Sequence, residues 1–219
     1  MVVTNVLGSA TSSAAILAVT TNSYTNLVLS VGGSGQYVTV PSSPAIQPSN
    51  AITIELWFLP LPNPLSNPIV LNKGDGLNVN TARSYQVNLS SSSGVALNLF
   101  LGTSTYAGIS VPAPVNQWVH FAATYDSATS TINIFTNGVL AASTPNDAGG
   151  SPLNGQRLRQ TTLPLTFGFA PSFANTYFNG SIDEVRIWNF ARSGAEISRD
   201  FHARLAGTEP GLVGYWQFD

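Results

Sequence analysis

The chain has no cysteine, which removes disulfides, thiolate metal sites and a cysteine nucleophile from any mechanism and leaves the redox compartment open. Charge is scarce too. Only 8% of residues are Asp, Glu, Lys or Arg, where soluble domains carry about 25%. The surface is therefore expected to be polar but nearly uncharged, built from the abundant Ser, Thr, Asn, Gly and Pro. With eight basic against ten acidic residues and no two basic residues adjacent, the electrostatic footprint that nucleic acid requires is missing. Apolar runs reach about ten residues before Gly, Pro or Ser breaks them, and a bilayer core needs roughly 20. No membrane insertion is expected. No basic segment leading into a hydrophobic stretch opens the chain, so a signal peptide is not expected within it, and an exported parent would carry one upstream.

What the chain does have is period-2 alternation. A chain of 219 residues buries roughly 70% of its unfolded surface, enough for a core without staples. From Leu27 to Thr144 the candidate strands are NLVLSV, QYVTVP, AITIELWFLP, NPIVLNK, SYQVNLS, VALNLFL, AGISVP, QWVHFAATYD, STINIFTN and VLAAST. Asn137-Gly138 marks a tight hairpin. After a polar loop over 145–161 come LPLTFGF, YFNGSIDEVRIWNF and GLVGYWQF. One helix is expected, GAEISRDFHARLAG, with Ser193 as N-cap, Glu196 completing a capping box and Gly207 just past its end. The expected class is all-β: a two-sheet antiparallel β-sandwich of jelly-roll type with one short helix near the C-terminus.

Residues 1–20 stand apart from residues 21–219. VVTNVLGSATSSAAILAV resembles the last two strands of a bacterial immunoglobulin-like domain, and it also suits an N-terminal hairpin that pairs with the sandwich. Both readings stay open. The first would make the chain part of a longer multidomain protein.

Four segments in order, LSVGGSGQYVTVP, ITIELWFLP, NQWVHFAATYD with INIFTNGVL, and FNGSIDEVRIWNFARSGAEI closed by GLVGYWQFD, resemble the bacterial branch of the laminin-G-like, concanavalin A-like superfamily. The resemblance implies two packed antiparallel sheets, with ligands met at loop edges or on the concave sheet. It does not fix a function, because lectins, adhesion modules, glycanases and spacers share the fold. It also implies calcium as a frequent cofactor. Relatives often carry an acidic residue near the place of Gly32 or Gln36, and its lack here leaves Asp183 and Asp75, with backbone carbonyls, as candidate metal ligands.

Asp183 and Glu184 are consecutive in a strand and face opposite ways, so they cannot serve one site together. Glu55 sits in an E-x-W pattern that favours a structural role. The paired carboxylates of a retaining glycosidase, E-x-D-x-E or E-x-D-x-x-E in this superfamily, are not in the sequence, nor is G-x-S-x-G. No catalysis is expected. His120 and His202 read as structural, and Trp57, Trp118, Trp188 and Trp216 as core. The asparagines of Asn88-Leu89-Ser90 and Asn179-Gly180-Ser181 fit the glycosylation pattern by accident. Tyr106 and the APSFANTYF segment, with Phe173, Asn175, Tyr177 and Asn179, are the candidate ligand-binding residues, aromatic and amide-rich as a neutral sugar requires. The expected function is a non-catalytic carbohydrate-binding or adhesion module of a secreted or cell-surface protein, its partner a glycan or a cell-surface protein. A spacer or protein-interaction domain is the alternative.

Overall fold

The computed structural model describes residues 27–65, 67–74, 83–90, 94–171 and 175–219, together with the backbone of three N-terminal strands. Those three are β1 (Val2–Asn5), β2 (Gly8–Ser12) and β3 (Ile16–Ala18). The first half continues with β4 (Val28–Gly32), β5 (Val38–Val40), β6 (Ala51–Pro60), β7 (Ile69–Gly74), β8 (Arg83–Ser90) and β9 (Gly94–Leu101). Then follow β10 (Thr105–Pro112), β11 (Val119–Asp126), β12 (Thr131–Thr136), β13 (Val139–Thr144), β14 (Leu165–Phe167), β15 (Asn179–Trp188) and β16 (Leu212–Trp216), with helix α1 (Gly194–Asp200) before the last.

All the strands named here pair antiparallel. One sheet runs β1-β2-β5-β14-β7-β8-β9-β10; the other runs β13-β12-β11-β6-β15-β4-β3, with β16 added beside β15. In the N-terminal region β2 pairs with β5 and β3 with β4. The hairpin between β12 and β13 turns on Asn137 and Gly138, both at positive φ (49° and 78°), as its dipeptide requires. Alternation explains the core. Ile52, Ile54, Leu56 and Phe58 of β6, and Phe121, Ala123 and Tyr125 of β11, meet Val87, Leu97 and Leu99 of the opposite sheet, all at 0% exposure.

The outer face of the β6/β11/β15 sheet is buried as well. Thr53, Glu55, His120 and Arg186, which alternation alone would give to water, are at most 1% exposed. The C-terminal segment covers them. Arg192 Nη1 donates to Glu55 Oε1 at 2.7 Å, its other guanidinium nitrogen reaches Asp200 and the Glu196 carbonyl, and its backbone N–H donates to Thr53 Oγ1 at 2.8 Å. Burial by itself would raise the Glu55 carboxyl, but His120 and Arg192 beside it hold it below the ordinary value. The carboxylate therefore stays ionised.

Helix α1 opens on the expected capping box: Ser193 Oγ accepts from the Glu196 N–H at 3.3 Å, and Glu196 Oε2 accepts from the Ser193 N–H at 2.7 Å. It stops at Asp200 and not near Gly207, because the carbonyls that would continue it are taken by side chains of the sheet. Arg186 donates to Asp200 O at 3.1 Å and Ala203 O at 2.5 Å, and Trp57 Nε1 donates to Phe201 O at 3.0 Å.

Lys73, the only lysine in the chain, points between the sheets at 0% exposure, in the row of Leu165 and Tyr85. Its ammonium donates to Ser42 Oγ at 2.8 Å, to Thr161 O at 3.0 Å and to Leu163 O. Burial lowers its pKa to about 8.

Removing one partner of a buried ion pair strands the other charge, which costs about 3–5 kcal/mol. Arg192→Ala is expected to lose that much stability, while Glu55→Leu combined with Arg192→Met should recover most of it. Urea unfolding midpoints of the three proteins check both expectations.

Candidate functional site

Tyr106 lies within β10, on a sheet face and not in a loop, and is 45% exposed. Its position follows from Gly108, the next residue on the same face of the strand. A Cβ at Gly108 would stand 3.1 Å from the Tyr106 hydroxyl and 2.9 Å from Asn98 Oδ1. Having none, the strand lets the phenol ring lie down across the sheet. The hydroxyl then donates to Asn98 Oδ1 at 2.7 Å, and Asn98 Nδ2 donates to Asn88 Oδ1 at 2.5 Å. Behind the ring stands Phe100, centroids 5.5 Å apart, with the Arg83 guanidinium 4.2 Å over the Phe100 ring. The Ala148 N–H donates to Tyr106 O at 3.1 Å, which draws in a side wall. Burial pushes the phenol above its usual pKa, so it stays a neutral hydroxyl.

These residues form a cleft of about 260 Å³ with Asn88, Asn98, Tyr106, Gly108 and Ser110 on its floor and sides. No charged residue among those described lines it. An aromatic face beside amides and hydroxyls, without net charge, suits a polar neutral ligand with an apolar side.

Of the other expected ligand residues, Phe173 lies outside the described residues. Asn175 is exposed at positive φ (62°). Tyr177 stacks on Phe169, centroids 4.2 Å and planes 10° apart, while its carbonyl accepts from Asn63 Nδ2 at 2.8 Å. Asn179 Nδ2 donates to Pro62 O at 2.8 Å. Tyr177 bridges to Ile69 on β7, and β7 is three strands from β10, on the order of 14 Å at about 4.8 Å per strand. The structure does not bring Tyr106 and the 175–179 segment together. Asn88 and Asn179, the two glycosylation-pattern asparagines, are both in strands and already bonded. Asn98 and Gly108 escaped notice in the sequence because neither the amide nor the glycine carries a motif; only the register of β9 on β10, which sets Asn98 opposite Gly108, shows them.

Asp75 lies outside the described residues. Asp183 is buried at 5% exposure, beside a bulge of β15 where Glu184 takes φ 50°; its Oδ1 accepts from the Glu184 N–H at 2.9 Å. Glu184 itself is bound by Arg186 at 2.6 Å and by the Tyr215 hydroxyl at 2.7 Å. Calcium takes six to eight oxygen ligands, and among the described residues no group of three or more His, Cys, Asp or Glu could hold a metal ion. His120 is buried between Trp57 and Phe201, and desolvation lowers its pKa, which keeps it neutral. Trp188 and Trp216 are core residues, whereas Trp118 is 40% exposed, contrary to its expected packing role. It stands just before β11, outside the alternating part of that strand.

Residues 32–198 match a laminin-G family model described as the concanavalin A-like lectin/glucanases superfamily. The chain belongs to that family. Among curated proteins, pappalysin-1 of Mus musculus is 36% identical over 90 residues, which is 40% of this chain and 5% of that protein. Among solved structures, the binding domain of Paraclostridial Mosquitocidal Protein 1 superposes with TM-score 0.67 at 12% identity, covering 92% of this chain and 51% of that one. The binding domain of botulinum neurotoxin serotype G gives 0.63 at 15% identity, covering 87% and 45%. A putative carbohydrate binding protein from Bacteroides ovatus gives 0.60 at 19% identity, covering 91% and 57%. The chain thus spans about half the length of these structures. They show the fold, a two-sheet jelly roll. No helix among the described residues is long and apolar enough to cross a membrane.

Desolvation pushes the Asp183 carboxyl up to about 7, against about 3.9 unfolded. The folded state therefore holds its proton more tightly, and stability from this group, full below pH 4, is lost as pH rises to 7. Asp183→Asn is expected to match the parent near pH 3.5 and to unfold at a higher temperature at pH 8. Melting curves across that range in calcium-free buffer would show it.

Proposed function

We propose that the chain is a non-catalytic carbohydrate-binding module of a larger extracellular protein, with its site on β8–β10 around Tyr106. The observation that carries the reading is the ring of Tyr106, laid flat by Gly108 and pinned by Asn98, within an uncharged cleft of amides and hydroxyls. A pyranose has one face rich in C–H bonds and a rim of hydroxyls. The ring takes the first and the amides the second. Glycoside hydrolysis needs paired carboxyl groups, and none is found among the described residues lining this cleft. The likeness to a putative carbohydrate binding protein supports the reading.

Protein adhesion is the second reading, favoured by β13. That strand is at a sheet edge and exposes Val139 at 68% and Leu140 at 54%, and an apolar edge is a template for another strand.

A glycan array probed with the purified chain tests the first reading. A hit should weaken at least tenfold in Tyr106→Ala and also in Gly108→Ala, which lifts the ring, while Tyr177→Ala should leave it unchanged. A blank array together with capture of a protein partner lost in Val139→Lys would favour adhesion.

A further inference from the structure

Beside the Tyr106 cleft lies a second hollow of different chemistry. It has a volume of about 300 Å³ and is walled by Pro60, Pro62, Pro64 and Pro68 with Leu61 and Val115. Ser90 lines both hollows, so they share a lip at the end of β8. Large apolar side chains that stay exposed are few among the described residues: Leu61 (38%), Tyr106 (45%), Val115 (40%), Trp118, Val139 and Leu140. Three of these six line one or other of the two adjoining hollows.

The second hollow offers little to a sugar. Its described lining holds a single amide, Asn63, which is tied to backbone, Nδ2 donating to Tyr177 O at 2.8 Å and Oδ1 accepting from the Leu65 N–H at 3.0 Å. Its four prolines have no N–H to give. No charged residue among those described lines it. Its volume is at the lower end for small-molecule pockets, which fits a short alkyl or aryl group, and covering its apolar wall from water supplies the driving force.

Resting on the carbohydrate reading of the Tyr106 cleft, we infer that the ligand is a neutral amphipathic glycoside, its sugar on Tyr106, Asn98 and Asn88 and its apolar aglycone across Ser90 in the proline-walled groove. No charged side chain stands in the described lining of either hollow, and Arg83 is buried against the Phe100 ring behind Tyr106, which selects against phosphorylated or sulfated headgroups, whose desolvation is costly.

The test is calorimetric titration of the full 219-residue chain with methyl and octyl glycosides of glucose, galactose, mannose and N-acetylglucosamine, below the micelle concentration. For at least one sugar the octyl glycoside should bind ten times or more tightly than the methyl glycoside. Leu61→Asp, at an exposed position that tolerates charge, should abolish that advantage and leave the methyl glycoside unchanged; circular dichroism would verify its fold. Tyr106→Ala should weaken both, and octyl sulfate should not compete. Equal affinities for every methyl and octyl pair, or no binding of any octyl glycoside, would overturn the inference, and a glycan-array hit alongside would leave the carbohydrate reading standing. Octyl binding that survives Tyr106→Ala and ignores the sugar would overturn the glycoside assignment and the carbohydrate reading with it.

Discussion

The arrangement depends on one buried carboxylate. Glu55 stands at 0% exposure on the outer face of β6, where an unpaired charge would be prohibitive. Arg192 answers it at 2.7 Å, and the same guanidinium holds Asp200 and the Glu196 carbonyl. One ion pair thus fixes where the chain leaves β15 and where α1 lies. Arg186 repeats the device one step away by binding Glu184 and the carbonyls of Asp200 and Ala203. Such pairs contribute little net stability over a well-packed apolar substitute, but they penalise any other placement of the segment.

The consequence for function is an asymmetry between the two sheets. With α1 and the segment after it folded over β6, β11 and β15, that outer face has Ala122, Phe135 and Ile197 packed together and a further cluster of Trp188, Leu212 and Tyr215. It is closed. On the other sheet the outer side of β8–β10 remains reachable, and there the exposed polar residues and Tyr106 are found. The binding surface is in this sense chosen by what the ion pair covers.

Much of this was legible in the sequence. Alternation located the strands, because a buried face at every second residue leaves a periodic trace; AITIELWFLP became β6 without a change of boundary. The capping box marked the start of α1 for a local reason, two reciprocal bonds within four residues. Its end was not legible, since Arg186 on the preceding strand and Trp57, far away in the chain, take the carbonyls. Nor was the burial of Thr53 and Glu55, which depends on a segment more than a hundred residues later. Tyr106 could be singled out as an aromatic near a turn, but its support by Gly108 and Asn98 belongs to cross-strand register, which a linear reading does not contain. The laminin-G-like segments named the fold and were silent on the site, as expected where one architecture serves many ligands.

Lys73 carries a last implication. With the chain's single lysine sealed between the sheets and its ammonium bound to three oxygens, the folded surface offers no side-chain amine to acylating reagents. The amine is released only when the rim holding Ser42, Thr161 and Leu163 parts, so its rate of labelling is a clock for opening at that edge of the sandwich. Attachment to a sensor surface through amines would therefore fall to the chain terminus, leaving the Tyr106 face unmodified.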